Sequence, residues 1–233
     1  MDRSKLDDAA REIVDYTAKH PELQKAHTFV YDYPVFDNFR TLGKPEFVVM
    51  GINPGETEPD REERKRWEAQ GRVWITRPST WNGARSYTRS AKVWADNCKY
   101  YTNSERVVST EVFFWSATDG SEFNQRFGML WKSPHLGFCV RMNRVLLDAY
   151  SPRAVIIPGI GLAEKIRAEF KLTLIDSKVD SRNGNNLIKH YRDRNSGLPW
   201  IFTKHWTGSF GLSEEQRMAM RTYIQGVLNE PAH

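Results

Sequence analysis

The ten residues Glu46-Phe47-Val48-Val49-Met50-Gly51-Ile52-Asn53-Pro54-Gly55 (EFVVMGINPG) decide how the rest of the chain is read. A short apolar run ends abruptly in a turn made of two glycines and a proline. Such a run, bounded by turn residues, is a buried strand. The glycines and proline force a tight turn that exposes backbone N–H groups and presents one polar side chain, Asn53.

Three further apolar runs follow the same grammar: Glu111–Trp115 (EVFFW), Ala154–Ile157 (AVII) and Trp200–Thr203 (WIFT). Helical patterns separate them. Ser4 to Lys19 is amphipathic, with Leu6, Ala9, Ala10, Ile13 and Val14 on one face and a capping-box signal at Ser4 and Asp7. Phe138 to Tyr150 and Leu162 to Phe170 are two more. A last helix begins at Ser213, where Gln216 completes a capping box. This order predicts an α/β protein of three layers, α/β/α, around a central, mainly parallel, four-stranded sheet. At 233 residues the chain suits a single domain, residues 1–233, with an N-terminal helix 4–19 and a basic, aromatic insertion 57–89.

Composition narrows the function classes. No apolar run is long enough to span a membrane, and the charged N-terminus lacks a signal-peptide core, so a cytoplasmic, soluble protein is expected. Cys98 and Cys139, the two cysteines, lie far apart and give no disulfide framework, zinc ribbon or iron–sulfur site. No metal or cofactor is expected. A net charge of +5 suits a polyanionic partner. Neither GxGxxG nor GxxxxGK[ST] is present, which disfavours a nucleotide-binding α/β protein.

In parallel sheets ligands bind beyond the carboxyl ends of the strands. After the first strand stands Gly51-Ile52-Asn53-Pro54-Gly55. After the fourth stands His205-Trp206-Thr207-Gly208-Ser209-Phe210-Gly211-Leu212-Ser213, a histidine followed by a loop of small residues. Together the two segments resemble the uracil-DNA glycosylase superfamily. GINPG matches the form found in its mismatch-specific uracil and thymine glycosylase branch, and HWTGSFGLS stands where that family has a histidine or asparagine motif with a wedge residue. Ala154–Ala163 (AVIIPGIGLA) is similar to the family's third strand, glycine and helix.

The resemblance implies a monofunctional DNA glycosylase that flips a pyrimidine out of DNA and hydrolyses its N-glycosidic bond, leaving an abasic site. It implies that Asn53 orients the attacking water and that His205 donates to the base as negative charge develops. Gly51, Ile52, Pro54 and Gly55 shape the base pocket. Thr207, Gly208 and Ser209 contact phosphate, and Phe210 or Leu212 is the wedge. Uracil-excising members often carry an asparagine at the end of the second strand. Ser116 occupies that position here, which leaves room for a larger base, and Asp119 is either a contact to the base or a turn residue.

The substrate is a hypermodified cytosine of phage DNA, which would mean antiviral defence, or uracil or mismatched thymine, which would mean base excision repair. The alternative is a non-catalytic module that binds damaged or modified DNA. Glu56, close to Asn53, either supplies the carboxylate that the amide lacks or, as the chief reading, stands at a solvated helix start. The 57–89 segment interleaves arginines with Trp67, Trp74, Trp81 and Tyr87, which suits phosphate binding and base stacking or else a solvated helix with its aromatic face in the core. Asn183 to Arg194 is read as a basic, polar loop that either lies along DNA or is a surface connection. The partner is double- or single-stranded DNA, and the protein is expected to be a monomer.

Overall fold

The computed structural model describes residues 1–26, 28–29, 33–34, 44–53, 55, 62, 65–66, 69–70, 75–76, 89–180, 184–206 and 211–229. Along the chain these form α1 (Arg3–Ala18), β1 (Thr28–Phe29), β2 (Tyr33–Pro34), β3 (Phe47–Gly51), β4 (Ile75–Thr76), α2 (Arg89–Thr102), β5 (Val107–Glu111), α3 (Gly120–Phe127), α4 (Leu136–Tyr150), β6 (Ala154–Pro158), α5 (Ala163–Glu169), β7 (Leu172–Val179), β8 (Asn186–Asp193), β9 (Pro199–Thr203) and α6 (Glu214–Asn229). The chain divides into two units. The first holds Met1–Tyr33, Gly51–Trp81 and Thr110–Tyr150, and the second Pro34–Met50, Asn82–Ser109 and Ser151–His233.

The second unit carries a mixed sheet of order β2-β5-β3-β6-β9-β8-β7. Six of its strands have five to eight residues, and β2 adds a two-residue edge. β3, β6 and β9 run parallel, whereas β8 and β7 are antiparallel. The expectation of four mainly parallel strands is therefore corrected. The antiparallel pair went unread because neither strand is a continuous apolar run. β8, the supposed basic loop at Asn183 to Arg194, buries Leu187, Ile188, His190, Tyr191 and Asp193. Its Lys189 is neutralised by Glu164 at 2.8 Å. β7 lies outermost and is exposed along most of its length, and Thr173, Asp176, Ser177 and Lys178 interrupt its apolar residues. Asp193 caps the turn into β9, accepting from Asn195 N and Ser196 N, and Gly197 supplies the positive φ of +71° that this turn needs.

Alternate residues of the sheet build the core. Phe47, Val49, Val107, Ala154, Ile156 and Ile201 pack with Cys98 and Tyr101 of α2 and with Met220, Ile224 and Leu228 of α6. Each fully buried aliphatic side chain contributes about 1.5–3 kcal/mol. Residues of opposite parity are buried too, and Phe170, at the end of α5, packs on Trp200 with ring centroids 4.8 Å apart. Glu46, just before β3, binds Arg106 at 3.1 Å and Arg153 at 2.8 Å, and Arg153 reaches the Leu228 carbonyl at the end of α6. Burial pushes the Glu46 carboxyl up, but hydrogen bonds from Ser104, Arg153 and Arg106 outweigh it and hold the group below its ordinary value. The predicted capping box is present: Ser213 N donates to Gln216 Oε1 at 2.9 Å, and Gln216 N to Ser213 Oγ at 3.2 Å.

In the first unit α1 packs on α4. Its N-cap is Asp2, which accepts from Lys5 N, and not the expected box at Ser4. Leu6, Ala9, Ala10, Ile13 and Thr17 are buried. Tyr16 stacks on Phe138 at 3.7 Å, and Trp115 Nε1 donates to Thr17 Oγ1 at 3.0 Å. The short β1 pairs in parallel with β4. Of the 57–89 insertion, the described part includes Glu62, Lys65 and Arg66, with Lys65 paired to Glu62 at 3.1 Å. The aromatic residues singled out there lie outside the described residues. No helix among the described residues is long and apolar enough to cross a membrane.

Candidate functional site

β3 ends at Gly51, and the turn that follows is held by the segment leaving β5. Val112 N donates to Gly51 O at 3.0 Å and Phe113 N to Ile52 O at 2.8 Å. Gly55 and Ala117 then form a parallel bridge. Asn53 thus stands between two backbone links to one neighbouring segment and is half-exposed. Pro54 and Glu56 lie outside the described residues.

The neighbouring segment is itself anchored. Asn143 of α4, fully buried, donates from Nδ2 to the carbonyls of Val112 (3.0 Å), Cys139 (3.0 Å) and Glu111 (3.2 Å). A buried carbonyl without a donor is costly, so this one amide fixes the path of the chain as it leaves β5. Phe113, Phe114 and Trp115 are buried as well.

Gly51 meets Glu111 closely. The carboxylate of Glu111 occupies the space in which a side chain at position 51 would stand. Only glycine lets this acidic group lie against the turn that bears Asn53. Glu111 is a site residue that the sequence analysis missed, because the run 111–115 was read as the strand. The strand is Val107–Glu111, in which Ser109 and Thr110 are buried polar residues that broke the apolar pattern.

That shift corrects the placement of Ser116. Ser116 is not at the strand's end but well beyond it, and its side chain is fully buried. Its carbonyl accepts from Arg126 Nη1 at 3.5 Å. Asp119 is the N-cap of α3, accepting from Ser121 N at 2.8 Å and Glu122 N at 2.9 Å, so the turn reading describes it. Thr118 is tied to the same helix, its N and Oγ1 both donating to Glu122 Oε2 at 2.6 Å.

In the second unit His205 follows β9 and is half-buried. Burial pushes its imidazole below the ordinary value, so the ring is neutral at pH 7 and carries a single N–H. Its neighbour Trp206 is buried, stacked on Tyr101 at 4.6 Å and lying beside Trp94 at 5.7 Å. Thr207, Gly208, Ser209 and Phe210 lie outside the described residues. Leu212, the other wedge candidate, packs partly buried against the core under α6.

No protein-family model matches the chain, and no curated protein matches it.

Proposed function

We propose that the protein is a monofunctional DNA glycosylase of the uracil-DNA glycosylase type, with the three-layer fold of that superfamily. One observation carries the reading: the GINPG turn leaves the carboxyl end of a parallel strand and is pinned on both sides of Asn53. A polar side chain held this way can orient a water molecule.

In the reaction, Asn53 Oδ1 accepts a hydrogen bond from the water. The water oxygen bonds to C1′ of the sugar and the C1′–N bond breaks. Its electron pair stays on the base, and the water's proton ends on the released base. The neutral His205 donates its N–H to the base oxygen that gains negative charge, an arrangement that stabilises the leaving group without a metal. Gly51, Ile52, Pro54 and Gly55 shape the pocket wall, while Thr207, Gly208, Ser209 and Phe210 engage the strand around the extruded nucleotide.

Of the two substrate classes, Glu111 favours an amino-bearing base. In its ionised form a carboxylate at the end of β5, against the Gly51 turn, only accepts hydrogen bonds. It suits the exocyclic amine of a cytosine and opposes the carbonyl that uracil has at that place. A hypermodified cytosine, as in phage DNA, therefore fits better than uracil or mismatched thymine.

The test is an abasic-site assay on uracil, mismatched thymine, 5-hydroxymethylcytosine and its glucosylated form, with Asn53→Ala as control. Alkali-sensitive sites in the modified-cytosine DNAs alone, lost with Asn53→Ala, are expected. Sites in uracil or thymine DNA would move the protein to repair. Binding without abasic sites in any DNA would leave a non-catalytic DNA-binding module.

A further inference from the structure

Two arginines of α6 converge on one tyrosine of α2. The Arg217 guanidinium carbon lies 5.0 Å from the centre of the Tyr100 ring, and that of Arg221 lies 4.9 Å from it. The residues are one helical turn apart, where like charges repel. Neither forms an ion pair among the described residues, and Arg217 Nε is buried without a hydrogen-bond partner among them. The acid placed nearby, Glu214, accepts from the Tyr100 hydroxyl at 3.3 Å. By contrast, Arg167 binds Glu164, and Arg106 and Arg153 share Glu46.

Two half-buried guanidinium groups held together on an aromatic shelf, with no carboxylate bridging them, form an anion-binding site. The shelf is rigid, because Tyr101, next to Tyr100, is buried and stacked on Trp206. Trp206 in turn adjoins His205. We infer that Arg217, Arg221 and Tyr100 form a DNA-phosphate clamp that holds the strand beside the segment bearing His205. The clamp rests on the DNA substrate proposed above and extends that site by residues outside both motifs. Arginine forks match phosphate oxygens bidentately, and the ring fixes the forks in place.

The experiment measures binding of a short mixed-sequence duplex of ordinary bases against salt concentration, by fluorescence anisotropy. Arg217→Gln and Arg221→Gln are each expected to weaken binding about tenfold and to lower the slope of log K against log salt by about one. Tyr100→Ala should weaken binding although it removes no charge, and Tyr100→Phe should bind like the parent. Arg167→Gln, which removes the same charge from a paired site, should leave the slope unchanged. Melting temperatures confirm that each variant is folded. The clamp is overturned by parental slopes in the Arg217 and Arg221 variants, by an equal loss in Arg167→Gln, or by a parent protein that binds no DNA. Base release, scored separately, keeps the two conclusions distinct. Arginine-dependent binding without abasic sites removes the glycosylase reading alone, and abasic sites with unchanged slopes remove the clamp alone.

Discussion

A methyl group on Gly51 would fall on the Glu111 carboxylate, so the glycine and the carboxylate occupy one space between them. Gly51→Ala is therefore expected to displace the Glu111 carboxylate, the flexible end of a side chain, at a cost of no more than about 1 kcal/mol, the low end for overpacking. Denaturant unfolding of Gly51→Ala, Glu111→Ala and the double variant reads the coupling. The double variant should recover at least about 0.5 kcal/mol relative to the sum of the single changes. Simple additivity would mean that the two groups do not compete.

Asn143 supplies one amide to three carbonyl oxygens. Asn143→Leu removes the donor and should cost about 2 kcal/mol. Asn143→Asp should cost more, because it sets a buried carboxylate against those same oxygens. Thermal melts at neutral pH rank the two. An aspartate variant as stable as the leucine variant would contradict the donor role.

His205 is held neutral by burial and, in the role proposed for it, donates one N–H. Its ordinary value is 6.5, and the folded value lies below that. Single-turnover base release should then show no step attributable to this group as pH falls through 6.5, only at lower pH. His205→Ala should slow release by about 10²–10³, as for loss of a donor to a developing anion. His205→Gln keeps an N–H and should retain more of the rate. Equal rates in the two variants would remove the donor role.

His135, nearly fully buried, contacts Tyr16 Oη at 3.1 Å through Nδ1 and Glu22 at 3.2 Å through Nε2. Burial lowers its folded value below 6.5, and this outweighs the opposing pull of Glu22. Below 6.5 the unfolded chain takes up a proton that the folded protein does not. The stability contributed by the neutral ring is thus complete above about 6.5 and is lost as pH falls toward the depressed folded value. The melting temperature of the parent should drop over that interval more steeply than that of His135→Gln. Parallel curves would assign the pH dependence to other groups.

The reciprocal bonds of Ser213 and Gln216 make α6 depend on its first residues. Ser213→Ala should cost about 1 kcal/mol, a fall of roughly 2–4 °C in a chain of this length. An unchanged melting temperature would show that tertiary packing alone holds the helix start.

What could be read in advance follows from how local each signal is. The GINPG turn was legible because glycine and proline act through their own backbones, and the Ser213 cap because both its partners lie within one turn. The start of β5 was not, since Ser109 and Thr110 are buried and interrupt the apolar run. β8 was hidden by Lys189, whose partner Glu164 comes from a distant element. Glu111 and the Arg217, Arg221 and Tyr100 group depend on contacts between segments far apart in the chain, which no periodicity reveals. Asn143 did leave a trace, as a lone amide amid the apolar residues of one helix.

The burial of Cys98 and Cys139 turns the protein's two thiols into clocks. Burial raises both above the ordinary thiol value, so neither offers a thiolate to an alkylating reagent while its surroundings stay closed. Cys98 belongs to the second unit and Cys139 to the first. The rate at which each becomes labelled, resolved by peptide mass, times the opening of its own unit without any introduced probe.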